Sequence, residues 1–197
     1  MGRGEAVCAI GTGLSPRCEP EMKVGEMAKN YDFRYLRVLV VDDSRFMTRV
    51  VTQILKAMGV GHVHTAHSGY DGFLAAKEFG PDIVISDWDM DGGEGPELVH
   101  LLRSDEDSPC PYVNILMLTG FAERKRVLEA RDFGITEFLT KPVSAKALYS
   151  RIVAMVERPR AFVRVGDAYF GPDRRRIANE DYGGPERRLP VDYAEIG

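Results

Sequence analysis

The sequence predicts an α/β fold built on a parallel sheet of five strands, each followed by a helix, with an irregular extension at either end. Three observations carry this. Arg37-Val-Leu-Val-Val41, Asp82-Ile-Val-Ile85 and Tyr112-Val-Asn-Ile-Leu-Met-Leu118 are short runs apolar on both faces, as strands covered on both sides of a sheet must be. Segments of helical spacing separate them, and a parallel crossover needs a helix of its own and is right-handed. The first two runs each end in acid, Asp42-Asp43 and Asp87.

Residues 1–35 are rich in Gly, Pro, Glu and Lys without a sustained period, and disorder is expected there. Met27 lies just ahead of the first patterned residues, so translation is expected to begin near it rather than at Met1. After the first strand, Ser44 caps a helix carrying Phe46, Met47, Val50, Val51, Ile54, Leu55 and Met58 on one face, stopped by Gly59. His62–Ala66 is a short strand, and Ser68–Phe79 a helix presenting Phe73, Leu74 and Ala76 inward. The strand ending at Asp87 comes next, between Gly80-Pro81 and Asp91-Gly92-Gly93. Gly95–Leu102 is a helix that tolerates Pro96 in its first turn. The acidic run at Asp105–Pro109 is a solvated loop. The strand from Tyr112 ends in Thr119-Gly120, and Ala122–Phe133 is a charged helix closed by Gly134. Glu137–Thr140 is the last strand, followed by Lys141-Pro142. Val143–Val156 is the final helix, with Leu148, Ile152, Val153 and Val156 inward.

Composition excludes several classes. A net charge of −4 over 197 residues argues against a protein that coats nucleic acid, and no DNA partner is expected. Cys8, Cys18 and Cys110 are odd in number and lack metal-like spacing, which disfavours a disulfide framework or a zinc site and fits a reducing cytoplasm. No stretch has the apolar length of a membrane span, and Ala6–Ile10 is too broken for a secretory core. His62, His64 and His67 read as strand and loop residues, because no second ligand cluster accompanies them.

Parallel topology gathers the polar residues at strand ends on one edge: Asp42 and Asp43, then Asp87, Thr119 and Lys141. Alone, Asp87 would be an ordinary turn former. Three neighbouring carboxylates repel and raise one another's pKa unless a cation intervenes, and a hard ion such as Mg²⁺ resolves that conflict. Lys141 adds a mobile positive charge and Thr119 a hydroxyl donor, a set suited to a tetrahedral anion beside Asp87. The chemistry indicated is phosphoryl transfer to a carboxylate.

These motifs, Val40-Val-Asp-Asp43, Ser86-Asp-Trp-Asp-Met90, Met117-Leu-Thr-Gly120 and Thr140-Lys-Pro142, resemble the receiver domain of two-component response regulators over residues 36–157. The resemblance implies a flavodoxin-like, doubly wound fold with strand order 2-1-3-4-5. It makes Asp87 the acceptor of a phosphoryl group from a histidine kinase or histidine phosphotransfer protein. It assigns Mg²⁺ to Asp43, to Asp42 through water, to Asp87 and to the backbone carbonyl of Asp89. Thr119 and Lys141 would contact the phosphoryl oxygens. Phe138 matches the family's switch aromatic, and Lys141-Pro142 a bond usually cis there. The readout face would be the fourth helix, fifth strand and fifth helix, contacted by a downstream protein. The only chemistry expected is phosphotransfer to its own Asp87 and self-dephosphorylation, in a single-domain regulator without a separate output module. Asp91 replaces a common proline, and Gly120 a common alanine, leaving more room for a phosphodonor. Phe121 is placed to shield the acyl phosphate, which predicts slow self-dephosphorylation.

Residues 158–197 turn to Pro, Gly and Arg, and are expected to form a flexible tail with Phe162, Tyr169 and Phe170 as its candidates for docking. Tyr169-Phe-Gly-Pro-Asp-Arg-Arg175 is echoed by Tyr182-Gly-Gly-Pro-Glu-Arg-Arg188, a duplicated linear motif. Arg164, Asp167, Asp173, Arg174, Arg175 and Arg176 resemble arginine-rich extensions by which some receiver-like proteins bind cyclic di-GMP. Guanidinium groups stack on bases and clamp phosphates, and a nearby Asp accepts from a guanine edge. A receiver-like effector of that nucleotide is the alternative reading.

Overall fold

The structure, a computed structural model, describes residues 31–104, 107–120, 133–166, 169–173 and 192–193. Its centre is a sheet of five parallel strands: β1 (Arg37–Val41), β2 (His62–Ala66), β3 (Ile83–Asp87), β4 (Asn114–Thr119) and β5 (Glu137–Thr140), in the order β2-β1-β3-β4-β5. That is the expected order. The register sets Val41 beside Ser86, Asp87 beside Leu118 and Thr119 beside Thr140, so the strands end together.

Helices α1 (Arg45–Ala57), α2 (Gly69–Phe79), α3 (Glu94–Ser104) and α4 (Ala145–Glu157) pack on the sheet. Ser44, Ser68 and Ser144 cap α1, α2 and α4, each hydroxyl accepting an otherwise unpaired main-chain N–H of the first turn. The chain leaves α1 through Gly59 and α2 through Gly80, both at positive φ. The expected helix at 122–133 lies outside the described residues except for Phe133, as does the N-terminal extension up to residue 30.

The core is made by the strands that read as apolar on both faces: Val38–Val41, Ile83–Ile85 and Ile115–Leu118 are essentially inaccessible. The helices depart from expectation in detail. On α1, Val51 and Leu55 are buried but Phe46 is 72% exposed, because it stands at the outer side of the first turn. On α2, Phe73 and Ala76 face in while Leu74 points out; on α4, Met155 takes the inner position expected of Val156. Helical spacing identifies residues that share a broad face, and the neighbouring strands cover only part of it.

Beyond α4 the described residues form a second sheet. Strands β6 (Phe162–Val165) and β7 (Tyr169–Pro172) make an antiparallel hairpin, and β8 (Asp192–Tyr193) pairs with the other edge of β6. Where a flexible extension was expected, residues 162–165 and 169–172 are thus paired and packed. The hairpin is closed by Asp173 N–H donating to Ala161 O (2.7 Å) and Tyr169 O–H donating to Pro172 O (2.7 Å). Its aromatics meet Tyr112 edge to face, with ring centroids 5.3 Å to Phe162 and 5.4 Å to Phe170. Beneath them Arg103 is 4% exposed and donates to the carbonyls of Gly134 (3.0 Å), Pro111 (2.7 Å) and Val113 (2.7 Å), its guanidinium 5.1 Å from the Phe162 ring. Burial pulls its pKa down to about 10, which still leaves it charged at neutral pH.

Candidate functional site

At the carboxyl edge of the sheet the chain leaves β1 into Asp42 and Asp43, ends β3 at Asp87 and β4 at Thr119, and leaves β5 into Lys141. Register alone brings these five residues together. Asp42 and Asp87 are buried, at 1% and 4% exposure, and Thr119 is buried as well; Asp43 faces solvent and Lys141 is half-buried. The carboxylates of Asp42, Asp43 and Asp87 offer oxygen atoms that all lie within 4.8 Å of one another.

Main-chain hydrogen bonds hold the loops that carry them. Ser44 N–H donates to Asp42 Oδ1 (2.9 Å), and Asp91 N–H donates to Asp43 Oδ2 (3.0 Å), joining the loop after β1 to the loop after β3. Lys141 N–H donates to Thr119 O (2.7 Å) and Trp88 N–H to Leu118 O (2.8 Å). The Lys141-Pro142 bond is cis. Gly95 lets α3 begin directly against this edge, since any side chain there would collide with the main-chain oxygens of Asp87 and Trp88.

The charges are unevenly satisfied. Lys141 Nζ lies 2.8 Å from Asp87 Oδ2 and 3.3 Å from Asp42 Oδ2. Asp87 Oδ1 is buried without a hydrogen-bond partner among the described residues. Burial raises the pKa of Asp42, and the charge of Asp87 adds to this against the Ser44 N–H and the Lys141 charge. For Lys141, burial works against the ammonium, but the Asp87 hydrogen bond and the charges of Asp87 and Asp42 outweigh it and raise its pKa. A pocket with three carboxylates, one ammonium and an orphaned carboxylate oxygen is short of positive charge. Hard oxygen donors in that arrangement suit a divalent cation of the Mg²⁺ type.

Of the other expected residues, Asp89 is exposed in the loop after β3. Phe138, on β5 opposite Met117, is half-buried against the core, with the Arg151 guanidinium 6.0 Å from its ring. Arg164 lies on β6, 4.7 Å over the Phe170 ring and far from the acidic pocket: its hairpin packs where β4 and β5 begin. Asp173 closes the hairpin through its main chain, and Asp167, Arg174, Arg175, Arg176 and Phe121 lie outside the described residues. The sequence reading missed two supports. His67 Nδ1–H donates to Asp42 O (3.2 Å), and Glu94 Oε2 accepts from Gly69 N–H (2.6 Å), tying α3 to α2 at this edge. His64 stacks on Phe79 at 5.4 Å, a packing role.

A five-stranded parallel sheet in this order, with an acidic pocket and a lysine at its carboxyl edge, defines the flavodoxin-like receiver class. The chain belongs to the response regulator receiver domain family, whose model matches residues 38–153, and is thus a component of two-component signalling. It is 30% identical over 123 residues to chemotaxis protein CheY-3 of Vibrio cholerae, covering 62% of this chain and 93% of the relative. It is 28% identical to chemotaxis protein CheY of Pseudomonas aeruginosa, covering 62% and 98%. Among solved structures it resembles Vibrio cholerae CheY4, with a TM-score of 0.55 and 31% identity over 59% of this chain and 95% of that one. The family match ends at residue 153, before the β6–β7 hairpin begins. No helix among the described residues is long and apolar enough to cross a membrane.

Proposed function

We propose that Asp87 accepts a phosphoryl group from a histidine kinase or histidine phosphotransfer protein, and that the chain passes this state on by protein contact. One observation carries the proposal: Asp87 is buried at a strand end with Oδ2 held by Lys141 at 2.8 Å and Oδ1 left without a hydrogen-bond partner among the described residues. A buried carboxylate half satisfied in this way is held in place while one oxygen stays available to react.

In the transfer, a carboxylate oxygen of Asp87 forms a bond to phosphorus as the phosphorus–nitrogen bond of the donor phosphohistidine breaks. The imidazole nitrogen keeps the electron pair and takes a proton from solvent. Asp42, Asp43, Asp87 and the carbonyl of Asp89 would hold Mg²⁺, which when bound neutralises charge on the carboxylates and the incoming phosphoryl group. Lys141 then moves from Asp87 to the phosphoryl oxygens, an exchange of one anion for a more highly charged one. The Thr119 hydroxyl donates to the same group, and Phe138 turns toward the space Thr119 leaves, altering the face formed by β5, α4 and the segment expected as a helix at 122–133.

Incubation with acetyl phosphate and Mg²⁺ followed by intact mass tests this. Asp87→Asn is expected to abolish phosphoryl uptake; uptake by Asp87→Asn equal to that of the native chain would overturn the assignment.

The exposed Arg164 guanidinium stacked on Phe170 favours a second reading, in which the hairpin and the arginines after it bind cyclic di-GMP. Isothermal titration of the whole chain and of a chain ending before residue 158 discriminates: heat from the whole chain alone supports it, and no heat from either removes it.

A further inference from the structure

Gly134, in the turn before β5, is where the hairpin meets the parallel sheet. Gly171 of β7 packs backbone to backbone on it: a Cβ added to Gly171 would lie 2.7 Å from Gly134 Cα, and one added to Gly134 would lie 2.7 Å from Phe170 O. The Gly134 carbonyl accepts from Arg103 Nε at 3.0 Å, and the Arg103 guanidinium lies 5.1 Å from the Phe162 ring. Toward the pocket, the preceding residue Phe133 meets Trp88 edge to face, with centroids 5.9 Å apart. Trp88 adjoins Asp87 in the chain, and its main chain is pinned to Leu118. Chain adjacency and two packing contacts therefore link Asp87 through Trp88, Phe133 and Gly134 to Phe170 and Gly171.

We propose that the β6–β7 hairpin is an intramolecular sensor of Asp87, docked when Asp87 is free and loosened when it carries a phosphoryl group. The direction comes from the Gly134–Gly171 contact. The backbones leave no room for even a methyl group between them, so a displacement of the 133–134 turn opens this contact more readily than it tightens it. In the docked state, Lys141 still holds Asp87. By thermodynamic reciprocity, whatever loading at Asp87 does to docking, docking does to loading, so the hairpin resists modification of Asp87 by the same factor. The inference rests on Asp87 being the phosphoacceptor. It adds an element outside the matched region, whose release would uncover Tyr112, Phe162 and Phe170 together.

The test uses the full chain with Mg²⁺ and beryllofluoride, a stable mimic of the acyl phosphate. Isothermal titration measures loading, and hydrogen exchange measures amides in 162–165 and 169–171. Loading is expected to speed exchange in the hairpin about fivefold while α1 stays unchanged, and Phe170→Ala is expected to tighten beryllofluoride binding by about the same factor. Phe133→Ala is expected to load but leave hairpin exchange unresponsive. Gly171→Ala is a second undocking variant should Phe170→Ala fold poorly. Loading of the native chain with hairpin exchange unchanged or slowed overturns the inference alone. Absence of loading in the native chain overturns the phosphoacceptor assignment and the inference with it.

Discussion

Lys141 Nζ bridges two buried carboxylates, 2.8 Å from Asp87 Oδ2 and 3.3 Å from Asp42 Oδ2. The carboxylates stand at the ends of the adjacent strands β1 and β3, and the lysine reaches them from the end of β5, across β4. One ammonium thus stands against two carboxylates and offsets their charge only in part, which leaves a pocket that a metal or a phosphoryl group would rearrange.

Lys141→Met should therefore destabilise the metal-free protein, because two buried carboxylates lose their counter-charge; about 2 kcal/mol is expected for acceptors left unsatisfied. Urea unfolding with EDTA and with Mg²⁺ measures it. Mg²⁺ should restore part of the loss, since a ligand bound only by the folded state stabilises it. An unchanged midpoint in EDTA would show that Lys141 contributes little to the folded state.

The raised pKa of Asp42 makes a signed pH prediction. Between the ordinary carboxylate value and the raised one, the folded state binds more protons than the unfolded state, so this group's contribution to stability falls as pH rises through that window. Thermal midpoints in EDTA should show native protein losing ground to Asp42→Asn as pH rises above about 4. Saturating Mg²⁺, which favours the ionised carboxylate, should abolish the trend. A gap between the two proteins that stays constant with pH would refute it.

Arg103 should be irreplaceable even by lysine. Its planar fork serves three carbonyls, those of Gly134, Pro111 and Val113, and one ammonium cannot reach all three. Arg103→Lys is expected to lose about 2 kcal/mol and Arg103→Ala about 3 or more, read from denaturant unfolding. Equal stability of Arg103→Lys and native protein would disprove the three-carbonyl role.

Glycines separate tight from open backbone. Gly171→Ala would set a Cβ 2.7 Å from Gly134 Cα and 2.9 Å from the Tyr169 hydroxyl, and should cost about 1–3 kcal/mol. Gly120→Ala, where nothing among the described residues lies within 4 Å of the added carbon, should stay within about 0.5 kcal/mol of the native protein. Similar losses in both would mean that backbone entropy rather than packing controls these sites.

The fold and most of the acidic pocket were legible because buried parallel strands have a plain signature. Val38–Val41, Ile83–Ile85 and Ile115–Leu118 are apolar without alternation, and an aspartate or lysine that ends such a run stands out against it. Ser44 could be read as a cap because capping is decided within a few residues, whereas the capping roles of Ser68 and Ser144 emerged only with the helix starts at Gly69 and Ala145. The outer positions of Phe46, Leu74 and Val156 could not, since spacing says which residues share a face and only packing decides how much of it is covered.

What the sequence by itself determined, then, is the order of strands and helices and the identity of the residues at strand ends, because those depend on local pattern and parallel connectivity. The tertiary structure alone decided that Asp87 Oδ1 has no hydrogen-bond partner among the described residues while Oδ2 is held, and that residues 162–165 and 169–172 form a docked hairpin rather than a loose tail. The reason is range. Phe162 and Phe170 become strand residues through Tyr112, Arg103 and Gly134, partners distant in the chain that no local pattern announces.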